Sequence, residues 1–205
     1  MDNGVHSSSV AVALGLLLAG AGSAVAHAVP LSAQEPGSEV LFDGSDLDAW
    51  NLIGGANWSL DPSDGSVRAD MGAEGHLVTR SSYADFELVV EFWAEPATNS
   101  GVYIRCSDPS DITARNCYEV NISDVRPDPT YRTGAVVGVS SPLEQVDAGD
   151  RWNEYVIRAE GPRLTVTLNG IRTVDAEDDR HSGGVIGLQY SAGLIKFRSV
   201  RIRPL

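Results

Sequence analysis

From residue 39 onward, apolar and polar residues alternate in short runs, with Gly, Pro, Asp, Asn and Ser between them. No window after residue 30 keeps a helical period. The runs are Glu39–Phe42, Trp58–Leu60, Ser66–Asp70, Gly75–Arg80, Phe86–Trp93, Gly101–Arg105, Tyr118–Ser123, Thr133–Val139, Trp152–Glu160, Arg163–Asn169, Ile171–Val174, Gly184–Tyr190 and Ile195–Arg203. Asp61-Pro62-Ser63-Asp64-Gly65, Gly161-Pro162 and Asn169-Gly170 supply turns, the last a two-residue hairpin signal. Many short strands at even spacing predict an all-β protein, an antiparallel β-sandwich of jelly-roll type with one face able to hold a ligand.

Three consecutive runs carry unusual second faces. In the first, Phe86, Leu88, Val90 and Phe92 alternate with Glu87, Val89, Glu91 and Trp93. In the second, Val102 and Ile104 alternate with Gly101, Tyr103 and Arg105; in the third, Tyr118, Val120 and Ile122 alternate with Glu119, Asn121 and Ser123. Side chains two apart share a face. If the runs are neighbours, Glu91, Tyr103, Arg105, Glu119 and Asn121 meet on one sheet surface, which is the expected site. Trp50, Trp58 and Trp152 are expected in the core.

Val10–Ala26 is apolar and ends in Ala24-Val25-Ala26, as a secretory signal does before cleavage after Ala26 or Ala28. Its leading MDNGVHSSS lacks Lys and Arg, which keeps a retained anchor as the alternative. The expected organisation is a signal peptide at 1–28, a linker at 29–38 and one domain at 39–205, secreted or held in the cell envelope. The net charge of −13, with Lys196 as the sole lysine, argues against nucleic acid as a partner. In an exported chain, Cys106 and Cys117 are expected to form a disulfide. Strict alternation puts Cys106 on the core side and Cys117 on the polar side, so one of them must leave regular strand geometry.

The motifs, taken in order, resemble those of the DUF1080 or 3-keto-disaccharide hydrolase family, a concanavalin A-like jelly roll. They are Leu41-Phe42-Asp43-Gly44, Gly75–Thr79, Tyr83–Glu91, Asn99-Ser100-Gly101-Val102 with Arg105, Tyr118–Asp124, Thr133-Gly134-Ala135, Trp152-Asn153, Leu168-Asn169-Gly170 and Gly184–Gln189 with Phe197-Arg198. They span about 40 to 203. The resemblance implies attack on a sugar oxidised to a ketone at C3, with a separate sugar 3-dehydrogenase making the substrate. Many members carry His two residues after the Gln of the Leu-Gln pair. Ser191 stands there in this chain, and Asn121 stands where Gln is frequent.

A C3 ketone acidifies the hydrogen on C2, so a base, an enolate stabiliser and an acid for the leaving oxygen are needed. Glu91 and Glu119 are the candidate base and acid, and Arg105 the candidate enolate stabiliser. Asn99, Asn121 and Gln189 are candidate hydroxyl binders, with Trp93 or Tyr103 stacking on the sugar. A divalent metal held by Glu119, Asp124 and Glu91 is the alternative electrophile. Two competing readings keep the same surface: a Glu–Arg ion pair that only sets strand register, and a sugar-binding module without turnover. A retaining glycosidase is disfavoured, because the chain lacks the Glu-x-Asp-x-Glu triplet usual for that class on this fold.

Overall fold

The computed structural model describes Met1, Asp2 and residues 37–205. All but the first two residues of the expected signal peptide, and most of the linker, lie outside the described residues. The strands are β1 (Glu39–Phe42), β2 (Trp50–Ala56), β3 (Ser59–Asp61), β4 (Ser66–Ala69), β5 (Gly72–Thr79), β6 (Phe86–Ala94), β7 (Ser100–Cys106), β8 (Tyr118–Ile122), β9 (Trp152–Glu160), β10 (Arg163–Leu168), β11 (Ile171–Glu177), β12 (Val185–Tyr190) and β13 (Ile195–Pro204). The one helical turn among the described residues is a 3-10 turn at Pro129–Tyr131.

Two antiparallel sheets face each other. The large sheet runs β11-β10-β9-β6-β13-β4-β3, and β1 pairs with the second half of β13. The small sheet runs β2-β5-β12-β7-β8. The core lies between them. Phe86, Leu88, Val90 and Phe92 of β6, Tyr155 and Ile157 of β9, and Phe197 of β13 meet Leu77, Leu188, Val102, Val120 and Ile122 from the small sheet. Each such side chain contributes about 1.5–3 kcal/mol by leaving water. Tyr155 also ties the sheets by polar contact: its hydroxyl donates to the Asn121 carbonyl at 2.7 Å and accepts from the Gly134 N–H at 2.8 Å. This is the expected jelly-roll sandwich.

The expected neighbourhood of the three central runs is corrected here. β6 lies in the large sheet, between β9 and β13, whereas β7 and β8 pair in the small sheet. The chain crosses from one sheet to the other at residues 95–99. There Glu95 N and Thr98 Oγ1 both bond the Leu194 carbonyl, at 3.0 and 2.8 Å. Residues adjacent in sequence therefore present their outward faces on opposite sides of the sandwich.

Two strand expectations also change. β2 was not expected, because its Gly54-Gly55 pair and exposed Leu52 blur the alternation. Thr133–Val139, expected as a strand, follows the outer edge of β8 through hydrogen bonds such as Val137 N to the Glu119 carbonyl at 2.9 Å. Positive φ angles at Gly134 and Gly138 keep it from running as a regular strand.

Candidate active site

The outer face of the small sheet collects polar side chains from four strands. Register places Tyr103 between Gly187 and Glu119 in one row, and Gln189 opposite His76 in the next. Gln189 Nε2 donates to the Tyr103 hydroxyl and to Glu74 Oε1, both at 3.1 Å. The Tyr103 hydroxyl in turn is hydrogen-bonded to the Glu119 carboxyl. A relay Glu74–Gln189–Tyr103–Glu119 thus crosses β5, β12, β7 and β8. The His76 ring meets the Tyr103 ring edge-on, with centroids 5.3 Å apart. Gly187 of the intervening strand makes room for the disulfide loop instead: a Cβ there would press on Ile112 Cγ2 at 3.2 Å, while its 3.5 Å to Tyr103 Cβ and 3.9 Å to His76 Cδ2 are ordinary contacts.

Burial sets the chemistry of these groups. It pushes the Glu119 carboxyl up to about 7; the Tyr103 hydroxyl and Arg126 pull the other way, and Glu74 adds to the rise. Glu119 leans over Gly101, where a Cβ would stand 3.4 Å from Glu119 Oε1. Burial, then the charge of Glu119, raises Tyr103 well above an ordinary phenol, so it remains a donor. Burial lowers His76 below its usual value against an opposing pull from Glu74. Two atoms of this face have no partner although both are buried, His76 Nε2 and Gln189 Oε1. An unpaired buried polar atom costs about 1–3 kcal/mol unless something arrives to bind it.

A disulfide loop closes one end of the face. Cys106 and Cys117 are bridged, and Ile112 between them packs over Gly187 and against the Val78–Tyr103–Val185 cluster. The alternation conflict is resolved at Arg105, whose φ is +53°. Three steps of β7, Tyr103 to Cys106, there oppose two of β12, Gly187 to Val185. This bulge turns Cys106 to the outer face, on the side of Cys117, and sends the Arg105 side chain elsewhere.

The site residues expected from sequence divide as follows. Glu119, Tyr103 and Gln189 come together as expected. Asn99 sits at the open end of the same face, donating to Ser191 Oγ at 3.1 Å. Asn121 is on the face, but its amide is spent on the Tyr131 carbonyl of the following loop. Arg105 is not a site residue. It is 1% exposed, and donates to the Ala84, Gly161 and His181 carbonyls at 2.7, 2.8 and 3.2 Å and to Asp85 Oδ1 at 2.8 Å. Glu91 and Trp93 project from the large sheet, on the far side of the molecule. Glu91 accepts from Arg198 Nε at 2.5 Å, with Arg201 at 4.0 Å. Trp93 pairs across strands with Trp152, which is also on that outer face rather than in the core and lies under the Arg198 guanidinium at 4.2 Å.

Asp124 is not available as a metal ligand. Its two oxygens accept from Thr133 Oγ1 at 2.5 Å and from the Ala148 and Gly149 N–H groups at 2.8 Å. With Glu91 on the opposite face, the expected ligand set of Glu119, Asp124 and Glu91 does not assemble. Among the described residues no group of three His, Cys, Asp or Glu side chains is arranged to hold a metal ion.

Sequence reasoning missed His76 and Glu74. Their signal is the alternation of Glu74, His76 and Val78 with Gly75, Leu77 and Thr79, which marks an outward polar face on β5. What was lacking was the knowledge that β12 joins β5 to β7.

The profile of the 3-keto-alpha-glucoside-1,2-lyase-like domain matches residues 37–203. The chain belongs to this family. A "putative glycosyl hydrolase" from Parabacteroides distasonis is similar at 26% identity and a TM-score of 0.70, over 82% of this chain and 99% of that one. A second from the same organism shares 17% identity and a TM-score of 0.72, covering 82% of this chain and 94% of the other. Carbohydrate binding module CBM66 from Bacillus subtilis shares the fold at 17% identity and a TM-score of 0.57, covering 75% of this chain and 94% of that one. No curated protein matches the chain in sequence. Family membership makes the lyase-like domain a carbohydrate-related protein, and the polar face of its small sheet is where a sugar's chemistry would find partners.

Proposed function

We propose that the protein cleaves the glycosidic bond of a 3-keto-sugar. The C2 proton is removed, the C2–H electrons form an enolate with the C3 ketone, and collapse of the enolate expels the oxygen at C1 as it takes a proton. Water then adds across C1 and C2. The observation that carries this reading is Glu119, a carboxyl that burial brings to a pKa of about 7 while Tyr103 holds it in place. A group titrating near neutrality both gives and takes protons. Tyr103, kept as a phenol, and the Gln189 amide form the hydrogen-bonded row that holds the Glu119 carboxyl, with Gln189 Nε2 donating to the Tyr103 hydroxyl. The family match and the P. distasonis protein's designation support a hydrolytic or lytic activity on sugars.

On this reading a separate sugar dehydrogenase supplies the ketone. The Cys106–Cys117 bridge supports an extracytoplasmic location. The second reading is a sugar-binding surface without turnover, favoured by the unpaired Gln189 Oε1, which awaits a hydroxyl donor. A side-by-side assay of a 3-keto-glucoside and its parent glucoside separates the two. Cleavage of the keto sugar alone is expected. Saturable binding of either sugar with no cleavage would leave the binding module.

A further inference from the structure

His76 occupies a built position that the catalytic scheme above leaves unused. It is 6% exposed, and its Nε2 has no partner. Ile53 of β2 stands directly opposite it on one side and Gln189 of β12 on the other. Tyr103 touches its ring from β7, Glu74 precedes it on its own strand, and Glu119 lies beyond Tyr103 on β8. The orientation of the Gln189 amide is fixed, because its Nε2 is bound to the Glu74 carboxylate and the Tyr103 hydroxyl. Gln189 Oε1 is therefore, like His76 Nε2, a buried polar atom left without a partner.

His76 and Glu119 lie on opposite sides of Tyr103, three strand spacings apart and two residues apart along the strands, or about 16 Å between backbones. The Tyr103 side chain stands between them, touching the His76 ring on one side and meeting the Glu119 carboxyl on the other. Resting on the 3-keto-glycoside reading, we propose that His76 Nε2 is the base that takes the C2 proton and that Glu119 is the acid that protonates the departing oxygen. The proton passes from C2 to Nε2, and the C2–H pair becomes the enolate. The C1–O bond then breaks with transfer of the Glu119 proton to the leaving alcohol. In hydration, water delivers hydroxyl to C1 and its remaining proton to the Glu119 carboxylate, and the imidazolium returns a proton to C2. Gln189 Oε1 accepts from a sugar hydroxyl beside the reacting carbon.

Opposite effects of one cause, burial, suit the two groups to these roles. His76, lowered below 6.5, is a free base at neutral pH, and Glu119, raised to about 7, keeps a protonated fraction there. Glu74 pulls His76 up and pushes Glu119 up, and Arg126 pulls Glu119 down, so both groups are in their working state above the lowered His76 value and below about pH 7.

The test follows deuterium entering C2 of a 3-keto-glucoside in D₂O, alongside cleavage. The unmodified protein is expected to exchange and to cleave. His76→Gln is expected to lose exchange and cleavage together, by ~10²- to 10⁴-fold. Glu119→Gln is expected to keep exchange and lose cleavage, with cleavage restored when the leaving group is an acidic phenol that needs no proton. The unmodified protein also gives a readout independent of either variant: exchange should fall only as pH drops below 6.5. Exchange at the normal rate in His76→Gln, or exchange that follows a group near pH 7 and is abolished by Glu119→Gln, would overturn the assignment. A protein that neither exchanges nor cleaves any 3-keto-glucoside would instead remove the reaction, and the base assignment with it.

Discussion

Glu91 and Glu119 look alike in the chain. Each is an acid on the outward side of an alternating strand, two residues from an aromatic or amide side chain. In the fold they sit on opposite faces and in opposite electrostatic settings. Glu91, 5% exposed, is met by Arg198 and Arg201, while Trp152 packs under the Arg198 guanidinium. Around it the large sheet's outer face is laced with further pairs: Glu87 with Arg203 and Arg158, Lys196 with Asp61 and Asp64. Glu119 has a phenol for its close partner and a rise in pKa from burial. A compensated carboxylate holds strands together. A carboxyl whose burial outweighs the pull of a hydroxyl and of one arginine keeps its proton near neutrality, and that is the condition for proton transfer.

The sharpest break in the comparison is the pair of isosteric changes. Glu119→Gln is expected to lower turnover of a 3-keto-glucoside by ~10²- to 10⁴-fold, with folding retained, since an amide can still accept from Tyr103. Glu91→Gln is expected to leave turnover per folded molecule unchanged and to cost about 1–3 kcal/mol of stability, because a charge-assisted bond to Arg198 is lost. Parallel kinetics and urea titrations of the two variants check this. Equal turnover losses would return the two faces to one role.

Arg105 sharpens the comparison from the other side, since a cation two residues from Tyr103 reads in the sequence as part of the site. Arg105→Met removes the partner of three carbonyls and of Asp85 from a fully buried position. The expected loss is about 3–5 kcal/mol, seen as a lower urea midpoint. Turnover by the molecules that remain folded should change little. Collapse of turnover at unchanged stability would reinstate Arg105 as the oxyanion partner.

The strands themselves were legible because each buries one face, and a period of two survives any topology. Phe86, Leu88, Val90 and Phe92 face the core as their spacing requires. Which strands lie side by side was not legible. Alternation specifies a face and carries no information on partners, so the crossing at residues 95–99 was invisible and Glu91 was placed with Tyr103. The role of Arg105 failed for a second local reason: one residue at positive φ inverts the face of everything after it, and nothing in Ile104-Arg105-Cys106 marks a bulge. The requirement that Cys106 and Cys117 meet did carry that information, since it demanded a break in alternation somewhere in the pair. His76 was legible as an outward residue of β5. Its place beside Tyr103 depends on β12 pairing with both β5 and β7, more than a hundred residues away in the chain.

The smallest expected effect is on stability as a function of pH, and it tests the small sheet's face without any substrate. Glu119 has a folded pKa of about 7 against an ordinary value of 4.5, so the folded state binds its proton more tightly than the unfolded chain does. Its contribution favours the fold fully below about pH 4.5 and is lost as pH rises through about 7. His76 acts with the other sign. Its depressed value means the unfolded chain takes up the proton first, so its contribution is present above 6.5 and is lost as pH falls through the lowered folded value. The two slopes oppose each other, and the raw profile of the protein is therefore shallow. The difference between the unmodified protein and Glu119→Gln isolates the first. Relative to the variant, the unmodified protein should lose thermal stability steadily between pH 4.5 and 7 and no further above it. A Glu119 difference that stays flat from pH 4.5 to 7 would mean its carboxyl is ionised throughout, as an ordinary surface acid is, and would leave the small sheet's face with no proton donor.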